Sequence, residues 1–233
     1  MVLENSKISI KEAQKILALN YDIKGSIEKL DGEIDFNFKV QSLKGKHYLL
    51  KISRPDFESD YTDFQIKLLD HLNKNCEIEL ARNILTTNGR KSCVTKDSLG
   101  RDRSVRLLSW IDGRLWSQVN PHNQSLRNEL GSKTAKLSNS LIGFNHSFSK
   151  REIEWDISNS LWVENHIDEF NSNDKIILFK HIQDFKKNLP IYNEFAKSII
   201  HNDINDNNII VSNDLISPSV KSIIDFGDSV YTQ

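Results

Sequence analysis

The chain has no long apolar run. None of its segments approaches the roughly 18 consecutive apolar residues that a membrane-crossing helix needs. The opening MVLENSKISI carries no apolar signal core. We therefore expect neither a membrane span nor a signal peptide. An excess of charge is also missing: 31 Lys and Arg stand against 32 Asp and Glu, for a net charge of −1. No general positive field exists to draw nucleic acid or an anionic membrane surface, and neither is expected as a partner. Cysteine is scarce. Cys76 and Cys93 form no CxxC and have no His at zinc-finger spacing, so a disulfide framework and a zinc site are set aside. Two free thiols fit a reducing cytoplasm. There is no internal repeat, no low-complexity linker and no GxGxxG.

What is present reads as a soluble globular chain, with 38% hydrophobic and 27% charged residues. Its 233 residues suffice for one large domain or two small lobes. SIKEAQKILALNY (9–21) opens with Ser9 and has Glu12 three residues on, a capping box ahead of an apolar helical face of Ile10, Ala13, Ile16 and Leu17. SIEKL, FNFKV and HYLLKIS then predict an antiparallel meander, with Phe36, Phe38 and Val40 alternating toward one side. Pro55 follows the last of these strands, and residues 57–74 show helical spacing. KSCVTKD (91–97) and SVRLLSW (104–110) predict two further strands. From residue 120 the pattern turns helical, with amphipathic helices over 124–144 and 174–189. Short strands SII, NIIV and KSIID come last. The expectation is an α+β chain: a β-rich part over 1–110, then a mainly helical part over 111–233 with a β patch at its end. The boundary is placed near Trp110–Gly113.

The chemistry gathers in IIHNDINDNNIIV (199–211), where two apolar runs enclose a polar loop. If NIIV and KSIID pair antiparallel, the start of one lies beside the end of the other. Asn208 and Asp225 then converge, an amide oxygen and a carboxylate that suit a hard cation such as Mg²⁺. Asp203, five residues before Asn208, faces the same spot and can take a proton from an incoming hydroxyl. Protein kinases show this arrangement: an Asp, an Asn five residues on, then a DFG. Here the DFG is Asp225-Phe226-Gly227. His201 is expected to orient the loop through a backbone hydrogen bond. The plainer alternatives are an Asx-rich turn that only caps backbone groups and a calcium loop. The calcium loop lacks Gly at its sixth position, where Asn208 stands, and has strands for neighbours.

Lys51, at the end of an apolar strand, can offset nucleotide phosphates; taken alone it would read as a solvated lysine. Its acidic partner is left open among Glu58, Asp60 and Asp63. The turn LDGEIDFNF, with Gly32, lies where a phosphate-covering loop belongs, although it also reads as a plain hairpin. RLLSWIDGR (106–114), with Ser109 and Trp110, can offer backbone hydrogen bonds to a nucleotide base or serve simply as a linker. Trp110 and Trp116 fit a core role as well as a ligand platform.

HNDINDNN followed by IIDFGDS resembles the aminoglycoside phosphotransferase and choline kinase superfamily. YLLKIS with PDFESDYTDFQIKLLDHL, and LLSWIDGR, resemble its hydroxylysine-kinase-like branch, also found fused ahead of PLP-dependent aminotransferases. The resemblance implies a protein-kinase-like bilobal fold, Asp203 as catalytic base, Asn208 and Asp225 as Mg²⁺ ligands and Lys51 on the phosphates. It implies transfer of the γ-phosphoryl group of ATP or GTP to a small-molecule hydroxyl: an amino alcohol, a hydroxy amino acid or an aminoglycoside-like acceptor. The rival expectation is an inactive nucleotide-binding module. Two departures stand out. Asn202 occupies the place after the His where the family usually has Gly. The chain also stops eight residues after Asp225, where relatives continue into further helices, so a partial C-terminal lobe, with room for a fused domain beyond it, is expected.

Overall fold

Alternation along the strands decides which side chains meet in the first half of the molecule. The computed structural model describes residues 7–32 and 34–233. Helix α1 (Ile10–Tyr21) begins at Ser9, whose Oγ accepts from the Glu12 N–H at 3.2 Å. Glu12 does not reach back to complete the capping box. Its Oε1 accepts from the Ser98 N–H at 2.6 Å, tying the helix to a distant turn. Strands β1 (Gly25–Leu30), β2 (Phe36–Ser42) and β3 (His47–Ile52) form the expected antiparallel meander. Helix α2 (Ser59–Asn75) follows. Strands β4 (Asn83–Ile84) and β5 (Cys93–Lys96) both lie along β6 (Asp102–Ser109), which pairs with β3 to complete a six-stranded antiparallel sheet. Two residues long, β4 carries no periodic signal, and the sequence reading passes over it. Cys76 and Cys93 are free thiols.

The register sorts the two faces. Phe38, Leu50 and Leu107 lie opposite one another on adjacent strands, as do Ile52 and Val105. They pack under Ala13, Ile16 and Leu17 of α1, all buried. The residues between them point the other way. Leu49 and Leu108 meet Phe64, Leu68 and Leu72 of α2 on that second face. Lys51 and Arg106 share it and lie directly opposite each other.

The second half is built on helix α3 (Gln124–Leu141) and helix α4 (Ser172–Tyr192). Strand β7 (Arg114–Leu115) pairs with β9 (Ile209–Val211), which pairs with β10 (Val220–Ile223). Strand β8 (Ser198–Ile200) pairs with β11 (Val230–Thr232). The cluster around Phe64 runs on through Leu137 and Leu141 of α3 to Ile199, Ile223 and Phe226, so one apolar body serves both halves. The expected stripe on α4 has only Ile182 buried, while Ile176, Ile177 and Phe179 are exposed. Among the described residues, no helix is long and apolar enough to cross a membrane.

Candidate active site

The polar loop is held open by a ladder on one side and a histidine on the other. Strand β9 pairs with β10 through Ile209 and Ile223, and the Ile224 N–H donates to the Asn208 carbonyl at 2.8 Å. That step places Asn208 beside the start of Asp225-Phe226-Gly227. Buried His201 crosses between the two segments. The Asp203 N–H donates to its Nδ1 at 3.2 Å, and its Nε2 lies 3.0 Å from the Ile224 carbonyl. The pair of bonds requires Nδ1 to accept and Nε2–H to donate, which is the neutral ring. Burial pushes the His201 pKa down, outweighing the Ile224 carbonyl and the charges of Asp225 and Asp203, which raise it.

Asn202 adopts φ +65°. Left-handed backbone favours Gly, and Asn is among the few side chains that tolerate it. The departure at this position thus keeps the loop shape. Asp203 sits at the centre of a net of amides: Asn208 Nδ2 donates to its Oδ2 at 2.7 Å and to its carbonyl at 2.9 Å, and Asn205 Nδ2 donates to its Oδ1 at 2.9 Å. Those bonds turn the amide nitrogen of Asn208 toward Asp203 and leave its oxygen as the spare acceptor.

Asp225 also has a positive φ, +62°. Its Oδ1 lies 3.6 Å from Lys51 Nζ and 3.3 Å from the Gly227 N–H. Lys51 holds the Asp225 carboxyl below the usual carboxylate range, against the upward pull of burial, with Gly227 and Arg106 adding to the effect. Gly227 leaves no room for a side chain: a Cβ there would fall 2.8 Å from the Tyr61 hydroxyl. Arg151 clamps the segment, donating to the Gly227 carbonyl at 2.6 Å and the Ser229 carbonyl at 2.9 Å while lying over Phe148.

Lys51 takes no partner from Glu58, Asp60 or Asp63. Asp63 pairs with Lys67 and His146 instead. The second carboxylate near Lys51 is Asp35, at 3.8 Å, from the turn after β1. Asp35 also lies 3.3 Å from Arg106, whose Nη2 donates to Gln65 of α2 at 2.7 Å. Sequence reasoning missed Asp35, Gln65, Arg106, Tyr61 and Arg151. Arg106 had a signal: a charge in the middle of the apolar strand SVRLLSW. The others depend on contacts made at long range.

Lys51, Asn208, Asp225, Ser109 and Trp110 all line one cleft of about 660 Å³ between the two halves. Ser109 Oγ accepts from the Arg82 N–H, and Lys39 lies over the Trp110 ring at 4.7 Å. Trp116 is buried and stacks on His122. Gly32 packs against Asn37 and the Asp35 carbonyl, where a Cβ would meet atoms within 2.5 Å. Among the described residues no group of three or more His, Cys, Asp and Glu could hold a metal ion. The donor pair Asn208 and Asp225 has the hard oxygen chemistry that Mg²⁺ takes while keeping several waters or phosphate oxygens.

Residues 26–233 match the family described as phosphotransferase enzyme family. No curated protein matches the chain in sequence. Solved structures share the fold. The amicoumacin kinase hAmiN, in complex with AMP-PNP, Ca²⁺ and Ami, aligns with a TM-score of 0.72 and 17% identity over 99% of this chain and 68% of its own. A microcompartment-associated aminopropanol kinase gives 0.73 and 16% over 96% and 70%. The aminoglycoside phosphotransferase from Alicyclobacillus acidocaldarius subsp. acidocaldarius gives 0.60 and 14% over 100% and 70%. Identities this low speak for the fold alone: a kinase-like pairing of an antiparallel sheet with a helical part. The family match spans the sheet, the polar loop and the Asp225 segment together, and the chain belongs to the phosphotransferase enzyme family.

Proposed function

We propose that the protein transfers the γ-phosphoryl group of ATP, or of GTP, to a hydroxyl of a small amino alcohol, hydroxy amino acid or aminoglycoside-like acceptor. The observation that carries this is the convergence of Lys51, Asn208 and Asp225 on one cleft, with Asp203 bonded to Asn208. The nucleotide lies in the 660 Å³ cleft, its base toward Ser109 and Trp110 and its phosphates toward Lys51. Asn208 Oδ1 and Asp225 would hold Mg²⁺, which would neutralise phosphate charge. Asp203, fixed by the amides of Asn205 and Asn208, orients the acceptor hydroxyl and takes its proton. Neutral His201 holds the loop through the Asp203 N–H. Catalysis on this scheme is positioning and electrostatics, which suits a loose phosphoryl-transfer transition state. The division into a nucleotide lobe (1–110) and a catalytic lobe (111–233) belongs to the same reading. So do the narrower hydroxylysine-kinase-like assignment and a cytoplasmic location, the last supported by the two free thiols.

A nucleotide-binding module without turnover is the second reading. It is favoured by the absence of an α2 carboxylate at Lys51. A thermal shift with Mg·ATP and a turnover assay against a panel of amino alcohols, hydroxy amino acids and aminoglycosides separate the two. Stabilisation with turnover supports the kinase, and stabilisation alone supports the module. Asp203→Asn should lower kcat by about 10²- to 10⁴-fold with little change in Mg·ATP affinity. Undiminished turnover in that variant would remove Asp203 from its role.

A further inference from the structure

Two buried cations stand side by side at the centre of the cleft. Lys51 on β3 and Arg106 on β6 are directly opposite each other on the same face of the sheet. Like charges so placed repel, and both side chains are almost wholly buried, at 10% and 5% exposure. Helix α2 answers them with an amide, not an acid: Gln65 Oε1 accepts from Arg106 Nη2 at 2.7 Å. The charge is met by Asp35, whose Oδ2 lies 3.8 Å from Lys51 and 3.3 Å from Arg106. Asp225 reaches Lys51 from the opposite segment.

The arrangement is incomplete in a specific way. Neither Arg106 Nη1 nor Gln65 Nε2 has a hydrogen-bond partner, although both are buried. A guanidinium with an unused arm in such a place is costly unless something comes to meet it. The 660 Å³ cleft also borders a second cavity of about 290 Å³, and Lys51 and Arg106 are the two residues common to both linings. They form the partition between the cavities, and Asp35 stands on the smaller side. Asp35 stands in the short turn between β1 and β2, outside the paired residues of either strand.

We propose that Lys51 and Arg106 together form the receptor for the nucleotide's phosphate chain, and that Asp35 is an internal anion occupying this receptor until phosphate displaces it. The proposal rests on the nucleotide reading above. The planar fork of Arg106 suits two phosphate oxygens, and its free Nη1 supplies a donor that Lys51 cannot. Exchange of one anion for another keeps the buried pair neutralised throughout. Asp35 therefore acts as a competitor, and nucleotide binds with an apparent affinity lowered by the fraction of molecules in which the carboxylate is seated. A carboxylate that merely positioned Lys51 would have the opposite effect when removed.

The sign of one mutation decides between these. Calorimetric titration with Mg·ATP, Mg·tripolyphosphate and adenosine is carried out on the wild type, Asp35→Asn, Arg106→Gln and Arg106→Lys. Asp35→Asn should tighten Mg·ATP and Mg·tripolyphosphate by roughly threefold to tenfold and leave adenosine unchanged. Arg106→Gln should weaken both phosphate ligands by roughly tenfold or more, with Arg106→Lys restoring only part, and again with adenosine unchanged. Weaker Mg·ATP binding in Asp35→Asn makes Asp35 a positioning acid and overturns the proposal. Unchanged Mg·ATP binding in Arg106→Gln removes Arg106 from the receptor and also overturns it. If Arg106→Gln does not fold, the sign in Asp35→Asn decides. A wild type that binds adenosine and Mg·ATP while the variants behave otherwise defeats only this proposal. A wild type that binds neither defeats the nucleotide reading and this proposal with it.

Discussion

At the scale of single residues, the loop depends on two side chains whose backbone or charge is unusual. Asn202 holds a left-handed conformation, which costs an ordinary L-residue about 1–2 kcal/mol. Asn202→Val should therefore lower the unfolding free energy by about that amount, while Asn202→Gly should leave it within about 0.5 kcal/mol; urea titration measures both. His201 is buried and neutral, with its pKa pushed below the ordinary 6.5. The unfolded chain then takes up a proton at that ring as the pH falls through 6.5, and the folded chain resists. Stability from this group is complete above pH 6.5 and is lost as the pH falls toward the folded pKa. Urea midpoints measured between pH 7.5 and 5.5 should fall for the wild type. In His201→Gln they should start lower and fall less.

At the scale of elements, the strands do more than fill space. Alternation along β3 and β6 sends Leu50, Ile52, Val105 and Leu107 to α1 and leaves Lys51 and Arg106 facing α2. A one-residue slip would reverse every assignment and place the cations in the apolar layer. The register is locked by a buried polar cluster at the sheet's far end. Asp97 accepts from the Arg103 and Arg101 side chains and from the Leu99 and Arg101 backbones. Burial pulls the Asp97 carboxyl up, but these donors outweigh it and hold the group far below the usual range. Its stabilisation is present above the unfolded carboxylate pKa of about 3.9 and fades as pH drops toward the folded value. Asp97→Asn should cost about 3–5 kcal/mol at pH 7 by leaving buried Arg103 with weakened neutralisation. The deficit relative to wild type should shrink below about pH 4, as acid-dependent melting would reveal.

At the scale of the molecule, one apolar body joins the two halves. Phe64 of α2 packs with Leu137 and Leu141 of α3 and with Ile199, Ile223 and Phe226 beneath the polar loop. The sheet that carries Lys51 and the strands that carry Asp225 therefore rest on a shared core. Phe64→Ala should destabilise by about 3–5 kcal/mol. Unfolding followed by far-UV circular dichroism and by tryptophan fluorescence should give coincident transitions in wild type. All four tryptophans lie at or beyond residue 110, so the two signals weight different halves. Separate transitions would show that the shared core does not bind the halves into one cooperative unit.

Much of this was legible in the residues themselves, because it rests on local rules. Period-two and period-3.6 spacing located the meander, the principal helices and the last short strands, and the Asp–Asn–DFG spacing named the polar loop. Antiparallel pairing of NIIV with KSIID is a local inference, and it alone brings Asn208 beside Asp225. Other features have no local signature. The two- and three-residue strands β4, β7 and β11 exist only because distant segments of the chain offer them hydrogen bonds. Spacing points to the following helix for the partner of Lys51, yet the carboxylates beside it are Asp225 and Asp35, brought there by the polar segment and by a turn. Arg106 acquired its place beside Lys51 through register between strands more than fifty residues apart. The sequence by itself determined which groups could do phosphoryl chemistry, since that depends on side-chain type and short spacing. Only the tertiary structure decided which charges neutralise one another at the centre of the cleft, because buried electrostatics is fixed by distances between segments that the chain order leaves free.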